Sequence, residues 1–196
     1  MNKAYIFVFG GSSTLALSIF LFIAIPRWQV SEIDEKQISA QEPYTEIQAY
    51  GRTKYIEYGC VYCHSQQVRD PSVGADKSFG WGRPSLASDY IYDKPHLLGT
   101  MRTGPDLSNI GSRQPSKTWH YLHFYDPRKM VKWSIMPGFP FLFDKKISEE
   151  KPSDNAYKVP GEENTWVIPK KEADALVEYM LSLKRDKAPK QRGEIK

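Results

Sequence analysis

The residues best equipped for chemistry sit together at Cys60-Val61-Tyr62-Cys63-His64. Two thiols three residues apart, on about one helical turn, can reach the two vinyl groups along one edge of a porphyrin and form thioethers. The imidazole next in sequence then projects beneath the ring toward iron. This C-x-x-C-H spacing is the c-type haem attachment pattern. It predicts one covalently attached haem c, anchored by Cys60 and Cys63, with His64 on the iron. Competing chemistries fit less well. A structural zinc site needs two further ligands at typical spacing, and these two cysteines are the only ones. A thioredoxin-like dithiol sits in a βαβ context, whereas the residues before this motif read as helix. Two neighbouring cysteines are also too few for a disulfide framework.

Haem iron takes a second axial group or keeps an open position, and a thioether raises the reduction potential relative to a second imidazole. The candidates are Met101, Met130, Met136 and Met180. Met180 lies on an apolar helical stripe and reads as core. Met130 follows a helix-like segment and can simply pack, and Met101 lies close in sequence to His64. Met136 sits in Ser134-Ile135-Met136-Pro137-Gly138-Phe139-Pro140, a non-helical stretch stiffened by prolines. A rigid loop can hold a thioether against iron, so Met136 is the expected ligand. His120 or His123 in its place would give bis-His iron of lower potential. The Gly104-Pro105 turn within Thr103–Leu107 is suited to offer a carbonyl to the Nδ1–H of a ligating histidine. By itself it reads equally as an ordinary turn.

The elements that must position these groups begin with a span. Ala4–Ile25 holds 22 residues without a charge, about 33 Å of helix against a hydrocarbon core of about 30 Å. Pro26-Arg27-Trp28 is expected to stop that helix at the interface. A cleaved signal peptide has a shorter apolar region and a small-residue cleavage site, so an uncleaved anchor is expected over residues 1–28. Lys3 before the span and acidic residues after it place the remainder outside the cytoplasm. Small residues at Gly10-Gly11-Ser12-Ser13-Thr14 suit close packing against a partner helix.

Residues 29–47 read as a polar linker, 48–185 as the haem domain and 186–196 as a basic tail. Helices are expected over Ile47–Tyr58, over Ser116–Tyr125 with Ser116 as N-cap, and from Pro169 onward with Ala173, Leu176, Val177, Met180 and Leu183 as its apolar stripe. Asp126-Pro127 breaks the second or starts a short new helix. Residues 65–100 and 144–168 read as irregular, and no β-alternating run of useful length stands out. The fold class is therefore mostly α with long loops. Composition excludes global disorder, at 40% hydrophobic and 26% charged. The segment Lys184–Lys196 carries the whole net charge of +4 and reads as a solvated tail. A nucleic-acid binder would spread its cations over a folded face instead, so no nucleic-acid partner is expected.

The stretches GRTKYIEYGCVYCHSQ, YIYDKPHLLGTMRTGPDLSNIGSR and WHYLHFYDPRKMVKWSIMPGFPFL occur in this order. With the anchor they resemble the mono-haem subunit II of cbb3-type cytochrome c oxidases. The resemblance implies one transmembrane helix plus a class I-like cytochrome c domain on the periplasmic side of a bacterial inner membrane. It implies haem attachment at Cys60 and Cys63, axial His64 and Met136, and support of His64 by Pro105. The implied partners are a multi-pass haem–copper catalytic subunit, another c-type cytochrome subunit and a soluble cytochrome donor. The implied role is relay of single electrons toward the catalytic subunit, with no oxygen site on this chain. Residues 69–89 and 144–168 depart from the family pattern. Two other readings remain: the mono-haem subunit of a nitric oxide reductase, and a free-standing anchored electron carrier.

Overall fold

A computed structural model describes residues 3–29 and 41–187. Most of the expected linker, 30–40, and the tail from 188 onward lie outside the described residues. The chain divides into two units, one of Met1–Ala40, Ala87–Ile91 and Ala188–Lys196, the other of Gln41–Leu86 and Tyr92–Lys187.

In the first unit helix α1 runs over Ala4–Gln29, 26 residues whose 18-residue apolar stretch has a mean hydropathy of 2.1. At 1.5 Å per residue it is about 39 Å long, more than a hydrocarbon core requires. Its surface is apolar all round, which suits lipid rather than water. Two hydroxyls within it bond to the helix's own carbonyls: Thr14 Oγ1 donates to Gly10 O and Ser18 Oγ to Thr14 O, each at 2.9 Å. Such satisfaction matters where no water is available. Pro26 does not stop this helix, contrary to expectation. The α-helical part Ala4–Ile19 passes into a π-helical turn at Phe20–Ala24, where Ile25 N–H reaches Phe20 O. The wider turn just before the proline lets the backbone continue past a residue that lacks an N–H.

The second unit is helical with one small sheet. Helix α2 covers Glu46–Glu57, so the chain is ordered before the expected linker ends. It opens on a reciprocal cap: Gln48 N–H donates to Thr45 Oγ1 and Thr45 N–H to Gln48 Oε1. Helix α3 is the short Ile110–Arg113. Helix α4, Lys117–Tyr125, has Ser116 as N-cap, accepting from Trp119 N–H at 3.2 Å. Asp126 then caps α5, Pro127–Met130, with Pro127 at its first turn. Both match the sequence reading. The last helix, α6, spans Lys171–Ser182, and its stripe Ala173, Leu176, Val177, Met180 and Leu183 is buried as expected.

The segment expected to be irregular instead carries a sheet. Strands β1 (Phe143–Ile147), β2 (Tyr157–Lys158) and β3 (Thr165–Pro169) pair antiparallel in the order β1-β3-β2. Only β3 shows inward alternation, with Thr165, Val167 and Pro169 buried. Strand β1 buries Phe143 and exposes Asp144, Lys145 and Lys146, which is how a charged edge strand discourages further pairing. Pro169 closes β3 rather than opening α6, whose N-cap is Lys170. Arg185, counted with the solvated tail, is instead 3% exposed and bonded to Asp93.

The core is centred where α2 crosses α6, with Tyr55, Leu176, Val177 and Tyr179 at most 2% exposed. A Cβ on Gly51 would lie 1.9 Å from Ala175 O and 2.9 Å from Tyr179 Cβ. An alanine there gains about 1 kcal/mol of helix propensity. It also drives a methyl into fixed backbone, a strain of roughly 1–3 kcal/mol or more. Overlap wins: Gly51→Ala is expected to lower the thermal unfolding midpoint, and a raised midpoint would contradict this crossing.

Candidate haem site

Beyond the Tyr58 cap of helix α2 stands Gly59, whose φ of +73° is left-handed backbone that glycine adopts without a Cβ penalty. The chain then forms a 3-10 turn over Cys60–Tyr62, closed by Cys63 N–H and His64 N–H on Cys60 O at 3.2 and 3.0 Å. This tight turn leaves both cysteines half-buried and points Tyr62 to solvent at 74% exposure. The sulfurs form no disulfide. Burial pushes the Cys60 thiol up to about 12, so it is protonated at neutral pH. Among the described residues no group of three or more His, Cys, Asp or Glu gathers around a point.

His64 Nδ1 lies 2.7 Å from Pro105 O. A carbonyl can only accept, so Nδ1 carries the proton and Nε2 keeps its lone pair. Burial lowers the imidazole from its ordinary value, opposed by the Pro105 bond, and the ring is neutral at pH 7. The Gly104 backbone lies flat against it: a Cβ there would sit 2.3 Å from Cε1, 2.7 Å from Nδ1 and 2.9 Å from Nε2. Two further bonds, Gly104 N–H to Cys63 O and Leu107 N–H to Ser65 O, both 2.9 Å, staple the two segments together.

These groups line a cavity of about 540 Å³. All five residues singled out from the sequence, Cys60, Cys63, His64, Pro105 and Met136, are on its wall. Met136 is half-buried in a loop held at both sides. Its own N–H donates to Ser134 Oγ at 3.2 Å, and Phe139 N–H donates to Phe124 O at 2.7 Å. Of the rival thioethers, Met101 is 58% exposed and is off the cavity wall, as is Met130. Met180 reaches the wall from the core. His120 and His123 also line it, but His120 Nε2 is already 2.8 Å from Gln114 O. His123 stacks on Trp119 at 4.3 Å between ring centroids.

The donor chemistry suits a haem. The proton-free Nε2 of His64, the Met136 thioether and the two thiols all belong to residues that line the cavity. For the carboxylate edge of a porphyrin there are Arg113 and the buried His123 Nδ1, which has no hydrogen-bond partner. The remaining wall is largely aromatic and aliphatic.

A family model described as cytochrome c oxidase, mono-heme subunit/FixO, matches residues 2–173. The chain belongs to the FixO family. No curated protein matches it. Membership makes this a mono-haem cytochrome c subunit of the cbb3 oxidase type, so one haem and assembly with other oxidase subunits are family properties.

Sequence reading missed several residues behind His64 in this FixO-family chain. Arg102 forms a two-point pair with Asp76, Nη1 to Oδ1 at 2.5 Å and Nη2 to Oδ2 at 2.6 Å. It also donates to Ser65 Oγ and Gln67 O. Asp106, 0% exposed, accepts from Ser65 Oγ at 2.6 Å. Asp76 belongs to the 69–89 loop, expected from the sequence to depart from the family pattern, yet the family match of residues 2–173 runs through it. No local signal marks these contacts, since each joins residues far apart in sequence. The adjacency of Gly104 to the imidazole was equally hidden, although the Gly-Pro turn itself stood out.

Proposed function

We propose that this FixO-family chain is a membrane-anchored electron relay of a cbb3-type terminal oxidase. Its haem c would be held by thioethers to Cys60 and Cys63, with His64 and Met136 as axial ligands. When bound, the iron supplies reversible one-electron transfer. The chain's own residues do the rest. Pro105 O fixes the tautomer and plane of His64, and the Ser134–Pro140 loop presents Met136. Arg113 and His123 would meet the haem carboxylates, and the aromatic wall would exclude water. Helix α1 anchors the domain at the outer face of a bacterial inner membrane. The partners are a multi-pass haem–copper subunit, where oxygen is reduced, and a second c-type cytochrome or a soluble donor cytochrome.

The single observation that carries this reading is the meeting, in one cavity, of the Cys60–Cys63 pair with a His64 whose Nδ1 is committed to Pro105. Mild-detergent purification of the full chain from its own membranes tests the function. Co-isolated haem b, copper and oxygen uptake are expected. Nitric oxide consumption would favour the reductase reading, and a monomer holding only its own haem would favour the free carrier. A second prediction concerns the axial ligand. Met136→His is expected to lower the midpoint potential of the haem, because imidazole favours ferric iron more than a thioether does. A redox titration showing no change would remove Met136 from the iron.

A further inference from the structure

We propose that Arg102, with Asp76 and the Ser65–Asp106 pair, is a positioning device that sets the plane of the His64 imidazole and through it the haem's electronic state. The inference rests on the haem reading above and adds residues to it.

Ser65 directly follows His64, and Asp106 directly follows Pro105, so the donor and acceptor of the 2.7 Å bond each have a covalent neighbour in the cluster. Those neighbours are joined by Ser65 Oγ donating to Asp106 Oδ2 at 2.6 Å. The same Asp106 oxygen accepts Gln67 N–H at 2.8 Å, and its Oδ1 accepts Ser108 N–H at 2.8 Å. Arg102 spans the seam from outside, with Nε on Ser65 Oγ at 2.9 Å and Nη2 on Gln67 O at 2.6 Å. Its fork is held by Asp76, whose Oδ2 also accepts Arg69 N–H at 2.6 Å. The Trp81 ring lies 5.0 Å from the guanidinium carbon. Ser65, Asp76 and Asp106 are at most 2% exposed, so water cannot stand in for a lost partner. A planar, five-donor guanidinium can hold three acceptors at fixed angles, which an ammonium cannot.

A cluster that served stability alone would leave the haem spectrum untouched when weakened. Electron paramagnetic resonance separates the two cases, because the g values of low-spin ferric haem depend on the orientation of the axial imidazole plane. The full-length chain, matured with its haem and purified in detergent, is compared with Arg102→Gln, Asp76→Asn and the milder Ser65→Ala. Arg102→Gln and Asp76→Asn change local charge in opposite directions. A g-value shift of the same sign in both therefore reports geometry, and it is the expected result. Ser65→Ala should shift the same way by less. Arg102→Lys keeps the charge without the fork, so it should resemble Arg102→Gln. Tyr121→Phe, which loses a 2.8 Å bond to Asp174 between α4 and α6, should lower stability and leave g values unchanged. Unshifted g values in the Arg102, Asp76 and Ser65 variants, or full restoration by lysine, would overturn the proposal while leaving haem binding intact. Absence of haem from the unsubstituted chain would overturn both.

Discussion

Gly104→Ala is expected to loosen the proposed grip of His64 on haem iron by about 10–100-fold, the usual cost of losing the group that orients a metal-binding histidine. The reason is space. Three ring atoms lie within 3.0 Å of where the new methyl carbon would stand. The ring cannot swing away freely, since its backbone is tied to Cys60 and its Nδ1 to Pro105. To admit the methyl, the imidazole must tilt and give up that 2.7 Å bond, or residues 104–105 must retreat and break the Gly104–Cys63 contact. Either way the ring loses its fixed orientation. Pro105→Ala retains the accepting carbonyl and should be far milder. Absorption spectra of the ferric protein check both, with the Gly104 variant expected to turn partly high-spin and the Pro105 variant to remain low-spin. Identical spectra in the two would contradict a close Gly104–His64 contact.

The second large effect falls on stability. Asp93→Ala is expected to cost about 3–5 kcal/mol, the range found when one member of a buried ion pair is removed. Against a typical total of about 5–15 kcal/mol this is a large share. Asp93 Oδ2 is 2.5 Å from Arg185 Nη2, Oδ1 is 3.5 Å from Arg52 Nε, and Tyr44 OH donates to Oδ1 at 2.8 Å. The Arg185 and Asp93 side chains are 3% and 1% exposed. Taking away the carboxylate leaves the Arg52 and Arg185 guanidiniums, 10% and 3% exposed, without the anion they share. Arg52 retains Lys94 O and Pro95 O, and Arg185 retains Gln66 Oε1, so the loss stays within that range. Urea unfolding should show a lower midpoint with an unchanged slope. A midpoint shift below that of an ordinary surface substitution would mean that the pair is not buried in solution.

These predictions divide along what local sequence could reveal. The C-x-x-C-H motif stood out because the chemistry it predicts depends on spacing within five residues. Met136 stood out because prolines and aromatics stiffen its loop, and the residues so chosen line one cavity. Helices α4 and α6 were legible through Ser116 and a regular apolar stripe. The sheet was not, because β1 reads Phe-Asp-Lys-Lys-Ile and buries only its first residue. The buried charges were hidden for a different reason. A lone Arg or Asp in a polar segment reads as solvated, and only its distant partner reveals otherwise. Arg185 meets Asp93 across 92 positions, and Arg102 meets Asp76 across 26. Pro26 misled because a proline inside a helix ordinarily ends it, and the preceding π turn could not be read from composition.

The most direct test is the intact mass of the chain recovered from its own membrane, combined with alkylation of the denatured protein. The account predicts the polypeptide plus one haem, with Cys60 and Cys63 both refusing the alkylating reagent. A bare polypeptide mass with two modified cysteines would contradict it.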